Sequence, residues 1–243
     1  MMIKKIIFFL ILLLSINFSY AAEEKNELLL KYKADNNINN KASLQRGAKY
    51  FVNYCSGCHS LKYMRIKTLA SDLGIDEESF LMNLNFSDKK IGETMTIAMN
   101  SSDAAEWFEA IPPDLSLVSR SKGQDYVFSL LNTYYIDDAK STGFNNLTYP
   151  NTVMPHVLVS LQGEQNVKID KENNPLGFEI LSKGTLNKKE YIELTNDINN
   201  FLVYVSEPAK LKRQSIGVWV LIFLFIFSIV AYYTKKEYWN DVK

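Results

Sequence analysis

From Ile216 to Tyr233 the chain runs for 18 residues without a charged side chain. As a helix rising ~1.5 Å per residue, this run covers about 27 Å, close to the roughly 30 Å of a bilayer's hydrocarbon core. Phe, Leu and Ile surround it on every face and leave no polar stripe, so a buried core helix is the weaker reading. The run predicts one C-terminal transmembrane helix over residues 216–233 with a short tail, 234–243. Lys212 and Arg213 flank one end and Lys235 and Lys236 the other, so counting positive charges does not orient the helix.

The other end of the chain supplies the orientation. Lys4 and Lys5 precede an unbroken apolar run from Ile6 to Leu14, and small residues close the segment at Ser19-Tyr20-Ala21. That is the layout of a secretory signal over residues 1–21, and its apolar centre is short for a membrane span, which disfavours an uncleaved anchor. Export followed by one stop-transfer helix leaves a domain of residues 22–210 on the periplasmic side of a bacterial inner membrane, with the tail in the cytoplasm. The 27 basic and 27 acidic residues cancel over the whole chain, which gives no footing for nucleic-acid binding. Two of the basic residues lie in 1–21 and six beyond residue 209, against two of the acidic ones, so the region between is about six charges negative. An anionic domain steers a cationic partner, although a solvated acidic surface is an equal reading of charge alone.

Within that region the patterning is helical where it is periodic. Leu44, Ala48, Phe51 and Val52 recur at one-face spacing through Ser43–Tyr54. A second pattern covers Asp125 to about Asn132, and a third Lys188 to Val205 with Tyr191, Leu194, Ile198, Phe201, Leu202 and Val205 as its stripe. Asn187 and Glu190 form a capping-box pair ahead of that third helix, and Pro208 stops it. The Asn-rich stretch from Ala34 to Lys41 reads as a linker or turn. No alternating strand pattern of useful length stands out. The expected fold class is mainly α: a compact helical domain with long loops, of the sort that tolerates such loops when something large fills its centre.

The chain has only two cysteines and two histidines, and three of the four fall in Cys55-Ser56-Gly57-Cys58-His59. This is the C-x-x-C-H arrangement of a covalently bound haem c. Two thiols at this spacing reach the two vinyl groups on one porphyrin edge, and the adjacent imidazole is delivered to the iron. A thioredoxin-like pair wants a strand–helix context, a zinc site needs further ligands that the chain lacks, and a disulfide so short constrains almost nothing. The opposite iron ligand is sought at Met154-Pro155-His156. Pro155 biases Met154 toward extended backbone, which lets its thioether project from a loop. In an extended run His156 faces the same side, so it competes with Met154 on backbone grounds. Met64, Met82, Met95 and Met99 fit equally well as core filler.

With these residues assembled, the chain resembles the cytochrome c1 family over nearly all of the expected exported region and the anchor. The resemblance is carried by Arg46-Gly47 ahead of Cys-x-x-Cys-His-Ser, by Pro112-Pro113-Asp114-Leu115-Ser116, and by Arg120 followed by Asp125-Tyr126-Val127-Phe128-Ser129-Leu130-Leu131. It continues through Asn145-Asn146-Leu147 to Pro150, Met154-Pro155-His156-Val157-Leu158, Leu161-Gln162-Gly163, Glu207-Pro208 and Lys235-Lys236-Glu237-Tyr238-Trp239. It implies a cytochrome c-like haem domain, thioether links from Cys55 and Cys58, His59 and Met154 as axial ligands, and Arg120 beside a haem propionate. Taken alone, Arg120 reads as a solvated surface charge. One stretch departs from the family: Ala105-Glu106-Trp107-Phe108-Glu109-Ala110 is bulkier than the Gly-rich approach usual there.

The function that the resemblance implies is electron carriage from a Rieske iron–sulfur subunit to a soluble or membrane-tethered cytochrome c. The setting is a quinol-cytochrome c reductase that also contains cytochrome b and sits in the lipid bilayer. The chain alone is then an electron carrier, and oxidoreductase activity belongs to the assembly. A haem enzyme or gas sensor with a vacant sixth position, and a stand-alone tethered cytochrome, are the rival readings.

Overall fold

The computed structural model describes residues 32–172 and 174–240. The expected signal segment, 1–21, and the last three residues of the tail lie outside the described residues. The chain forms α1 (Lys41–Tyr54), β1 (Leu61–Arg65), α2 (Ile66–Leu73), α3 (Glu77–Leu84), β2 (Thr94–Met95), α4 (Ser101–Phe108), α5 (Val118–Lys122) and α6 (Tyr126–Asn132). It continues with β3 (Tyr134–Ile136), β4 (Phe144–Asn146), α7 (Val159–Gln162), β5 (Gly163–Ile169), β6 (Pro175–Lys183), α8 (Lys188–Ser206) and α9 (Lys210–Tyr238). The mainly α expectation holds.

The domain is built on the crossing of α1 and α8. Helix α1 starts where the Asn40 side chain accepts from Ser43 N–H, and α8 starts on the expected capping box of Asn187 and Glu190. Each cap satisfies backbone N–H groups that the first helical turn leaves without partners. Their apolar stripes meet through Phe51 and Phe201, whose ring centroids lie 5.6 Å apart, with Leu44, Ala48, Leu194 and Ile198 buried around them. Gly47 permits the close approach, since a Cβ there would sit 2.1 Å from the Asp197 carbonyl oxygen and 2.7 Å from Phe201 Cβ. Beside this contact the Asp197 carboxylate, almost fully buried, accepts from Arg46 Nε at 2.6 Å, Arg46 Nη2 at 2.9 Å and Ser43 Oγ at 2.6 Å.

One expectation needs correction. The stretches read as loops contain α2, α3, α4, α5 and α7, all of eight residues or fewer. No alternating pattern announces strands, yet β5 and β6 form an antiparallel hairpin running from Gly163↔Lys183 to Ile169↔Pro175. Most of its residues are exposed on both faces, so no buried face imposes alternation on the sequence, and backbone pairing carries the hairpin. The Asn-rich segment is irregular, as expected, yet it is pinned. Asp35 N–H donates to Asn196 Oδ1, whose amide donates back to the Asp35 carbonyl, while Asn199 and Asn200 donate to Asn36 Oδ1 and the Asn37 carbonyl.

Helix α9 contains the expected span 216–233 and is the one described helix long and apolar enough to cross a membrane. None of its apolar stretch packs inside the domain.

Candidate functional site

Helix α1 delivers the Cys-x-x-Cys-His segment. The helix ends as Cys55 and Ser56 both donate their N–H groups to the Phe51 carbonyl, at 2.8 and 2.9 Å. The chain then turns back so that Cys58 and His59 donate to the Cys55 carbonyl at 3.1 and 2.9 Å. One tight turn therefore holds both thiols and the imidazole. Both cysteines are free and half-buried. Burial, with a smaller contribution from Cys58, pushes the Cys55 thiol up to about 12, so it is protonated at neutral pH.

A second segment fixes the imidazole. His59 Nδ1 lies 2.8 Å from the Pro113 carbonyl oxygen. A carbonyl only accepts, so Nδ1 carries the proton and Nε2 keeps its lone pair for a metal. Burial lowers the His59 pKa, with the Pro113 carbonyl and Asp114 opposing that shift, and the ring is neutral as ligation requires. Pro113 is itself held in place. Leu115 N–H donates to the Ser60 carbonyl, Asp114 accepts from Lys62 N–H at 2.8 Å, and buried Ser116 Oγ accepts from Tyr63 N–H at 3.1 Å. The Pro-Pro-Asp-Leu-Ser run is thus a clamp on the strand that follows His59. Sequence reading noticed the motif without assigning these roles, and the carbonyl of a proline carries no side-chain signal that would reveal it.

Met154 lies on a different structural unit. Its loop follows the β3–β4 pair, and its backbone is gripped at both ends: N–H donates to Thr152 Oγ1 at 3.1 Å and the carbonyl accepts from Tyr134 Oη at 3.3 Å. The half-buried thioether is the part of the residue left free to ligate. His156 sits in an aromatic slot. It is 5% exposed, stacks on Tyr134 with centroids 4.6 Å apart and planes 5° from parallel, and receives the edge of Phe144 at 5.4 Å. Burial pushes its pKa down to about 4 against the opposing influence of the Gln162 side chain, and neither ring nitrogen makes a well-formed hydrogen bond. The two candidates that the sequence leaves open thus differ in setting: His156 is enclosed by Tyr134 on one face and by Phe144 at the edge, whereas Met154 is half-buried on a loop.

The other methionines separate as well. Met64 is buried in the core, Met82 is exposed, and Met95 is half-buried against the core on β2. Arg120 lies on α5, exposed, and its guanidinium makes no hydrogen bond or ion pair among the described residues. The backbone beneath it is anchored, since Ser119 N–H donates to Ser206 Oγ on α8. The divergent stretch at 105–110 forms the second half of α4 and the left-handed turn after it, at Glu109 with φ 56°, with Trp107 exposed. These donors fit a haem: two thiols on one turn, a neutral imidazole with Nε2 free, and a thioether on a backbone held at both ends.

A helix-borne Cys-x-x-Cys-His turn with an oriented imidazole, on a domain that carries one long apolar helix, defines a c-type cytochrome with a membrane anchor. The comparisons with known proteins narrow the class. Residues 33–242 match the model of the Cytochrome C1 family, and the chain belongs to that family. It is 47% identical over 215 residues to cytochrome c1 of Allochromatium vinosum, covering 86% of this chain and 88% of that one. It is 39% identical over 202 residues to the ammonia monooxygenase gamma subunit of Nitrosomonas europaea, covering 83% and 84%. Cytochrome c1 of Rhodospirillum rubrum is 26% identical over 235 residues, covering 82% of each chain. Family membership implies a haem cofactor and a membrane-anchored place in respiratory electron transfer.

Proposed function

We propose that the chain is the c1 subunit of a quinol-oxidising bc1 complex, passing single electrons from a Rieske iron–sulfur subunit to a soluble or tethered cytochrome c, with cytochrome b as its membrane partner. The observation that carries the reading is the Cys55–His59 turn with His59 Nδ1 locked on the Pro113 carbonyl. It commits one imidazole nitrogen to iron and places two thiols beside it.

Cys55 and Cys58 would hold one haem c through thioethers, His59 Nε2 and the Met154 sulfur would ligate its iron, and Arg120 would sit beside a propionate. When bound, the haem supplies a one-electron couple whose potential a His/Met pair sets high, suiting an acceptor downstream of quinol oxidation. The protein's part is to fix geometry. The Pro113–Ser116 clamp orients one ligand and the Thr152–Tyr134 grip holds the other. If His59 and Met154 both ligate the iron, the chain would leave no open site for a substrate or gas. Residues 22–210 would face the periplasm after removal of 1–21, and 216–233 would cross the inner membrane.

Purification from native membranes tests this. A b-type cytochrome and an iron–sulfur protein should co-purify with the chain, and quinol should reduce its haem within the assembly. Isolation of the chain without them, or with subunits of an ammonia-oxidising assembly as the name of the Nitrosomonas relative would suggest, overturns the proposal. Rapid carbon monoxide binding by the reduced native protein would favour a haem enzyme or sensor.

A further inference from the structure

His156 is buried at a cost that its polar atoms do not recover. Neither ring nitrogen makes a well-formed hydrogen bond, the nearby Gln162 side chain being the one polar group that bears on the ring, and burying a poorly partnered polar group is unfavourable. Its flat face, by contrast, is fully used. The ring lies parallel to Tyr134 at 4.6 Å, and Phe144, on the adjacent strand, closes the slot edge-on. Tyr134 is 1% exposed and is fixed from the backbone side, where its carbonyl accepts from Gln165 Nε2 at 2.6 Å. It leads β3, which pairs Tyr134 with Asn146 on β4. Tyr134 therefore has little freedom except rotation of its ring, and the His156 stack removes that.

The fixed ring has one polar atom, Oη, and it donates to the Met154 carbonyl at 3.3 Å. Thr152, 3% exposed, holds the N–H of the same residue. Between them stands Pro155, whose ring restricts the peptide that joins Met154 to His156. The loop is thus a closed circuit: Met154 is bonded to Tyr134, Tyr134 is stacked on His156, and His156 is two residues along the chain from Met154.

We infer that His156 and Tyr134 are positioning residues that hold the Met154 thioether in place for iron, His156 acting as an aromatic plate through Tyr134. The inference rests on the reading of Met154 as the sixth ligand. A stacked pair of this kind shifts a local equilibrium by roughly two- to tenfold. Loosening the circuit therefore gives a labile sixth ligand in a protein that still retains haem.

The test uses the full-length haem-loaded chain in detergent and reads three quantities: the thioether-to-iron charge-transfer band of the oxidised protein, the redox potential, and the rate of carbon monoxide association after reduction. His156→Leu and Tyr134→Phe should each weaken the band, lower the potential and raise the association rate roughly two- to tenfold, with haem content unchanged. His156→Phe keeps the plate and removes the poorly partnered nitrogens, and it should match the wild type. Tyr134→Phe removes only the hydroxyl, so it decides the matter if His156→Leu fails to fold. Wild-type behaviour of both variants, with the band lost in Met154→Leu, overturns the clamp and leaves the ligand assignment standing. A band that survives Met154→Leu overturns both. A His156→Phe protein as impaired as His156→Leu overturns the plate role.

Discussion

Replacing Gly47 by Ala should destabilise the domain even though it puts a better helix former into the middle of a helix. In isolation the exchange favours folding by about 0.5–1 kcal/mol, because glycine loses more backbone freedom. At the α1–α8 crossing the added methyl would meet the Asp197 carbonyl oxygen at 2.1 Å, Phe201 Cβ at 2.7 Å and the Asp197 carbonyl carbon at 2.8 Å. Two of these are backbone atoms, which no side-chain rotation moves. Real Cβ contacts essentially never fall under 3.0 Å, so the helices must separate by about 1 Å, an overpacking that costs about 1–3 kcal/mol or more. The separation also pulls Asp197 from Ser43 and Arg46, bonds that now stand at 2.6 to 2.9 Å. The net expectation is a loss of about 2 kcal/mol, which lowers the melting temperature of a domain this size by about 4–8 °C. Thermal melting of the full chain followed by far-ultraviolet circular dichroism measures it. A melting temperature equal to or above the wild type would show that α1 and α8 do not cross at residue 47.

Three further outcomes are expected. Cys58→Ser and Cys55→Ser should each weaken covalent haem retention, and the double variant should abolish haem staining on a denaturing gel. Arg120→Ala should keep the haem and lower its potential, because loss of a guanidinium beside a propionate favours the oxidised iron; an unchanged potential returns Arg120 to a solvated surface role. A chain stopped after Lys210 should be a water-soluble haem domain with a near-native spectrum, and recovery of that protein in washed membranes would place the anchor elsewhere.

What could be read in the sequence tracks how each feature is encoded. The long helices were legible because a buried stripe must repeat at helical spacing, and the boundaries at Tyr54 and Ser206 came within a residue or so. The Cys55–His59 turn stood out because covalent haem attachment demands particular residues at fixed separation. The β5–β6 hairpin was not, since its exposed faces place no constraint on alternation. Nor were the short helices α2 to α5 and α7, although α6, with seven residues, did show its stripe. The Pro113 carbonyl and the Tyr134 hydroxyl were invisible for another reason: their roles depend on partners 54 and 20 residues away, and spacing along one strand or helix says nothing about such pairs.

The same long-range bonds explain how an irregular chain makes a rigid site. Neither segment proposed to carry an iron ligand is a regular element. The Cys58–His59 turn lies beyond the end of α1, and Met154 lies in a loop, so neither is stiffened by a helical ladder of its own. Each is instead tied to a neighbouring segment through backbone groups, the first by the Pro113–Ser116 run and the second by Thr152 and Tyr134. Backbone contacts of this kind fix position without using the side chains that would reach the metal in the proposed site. That division leaves His59 Nε2 and the Met154 sulfur free while the backbone near each is held, as the proposed electron carrier would need if its ligands are not to shift between redox states. It also separates stability from redox tuning. The α1–α8 crossing, with Gly47 and Asp197, should govern unfolding, whereas changes at Tyr134 or His156 should alter the iron's ligation while leaving that crossing intact.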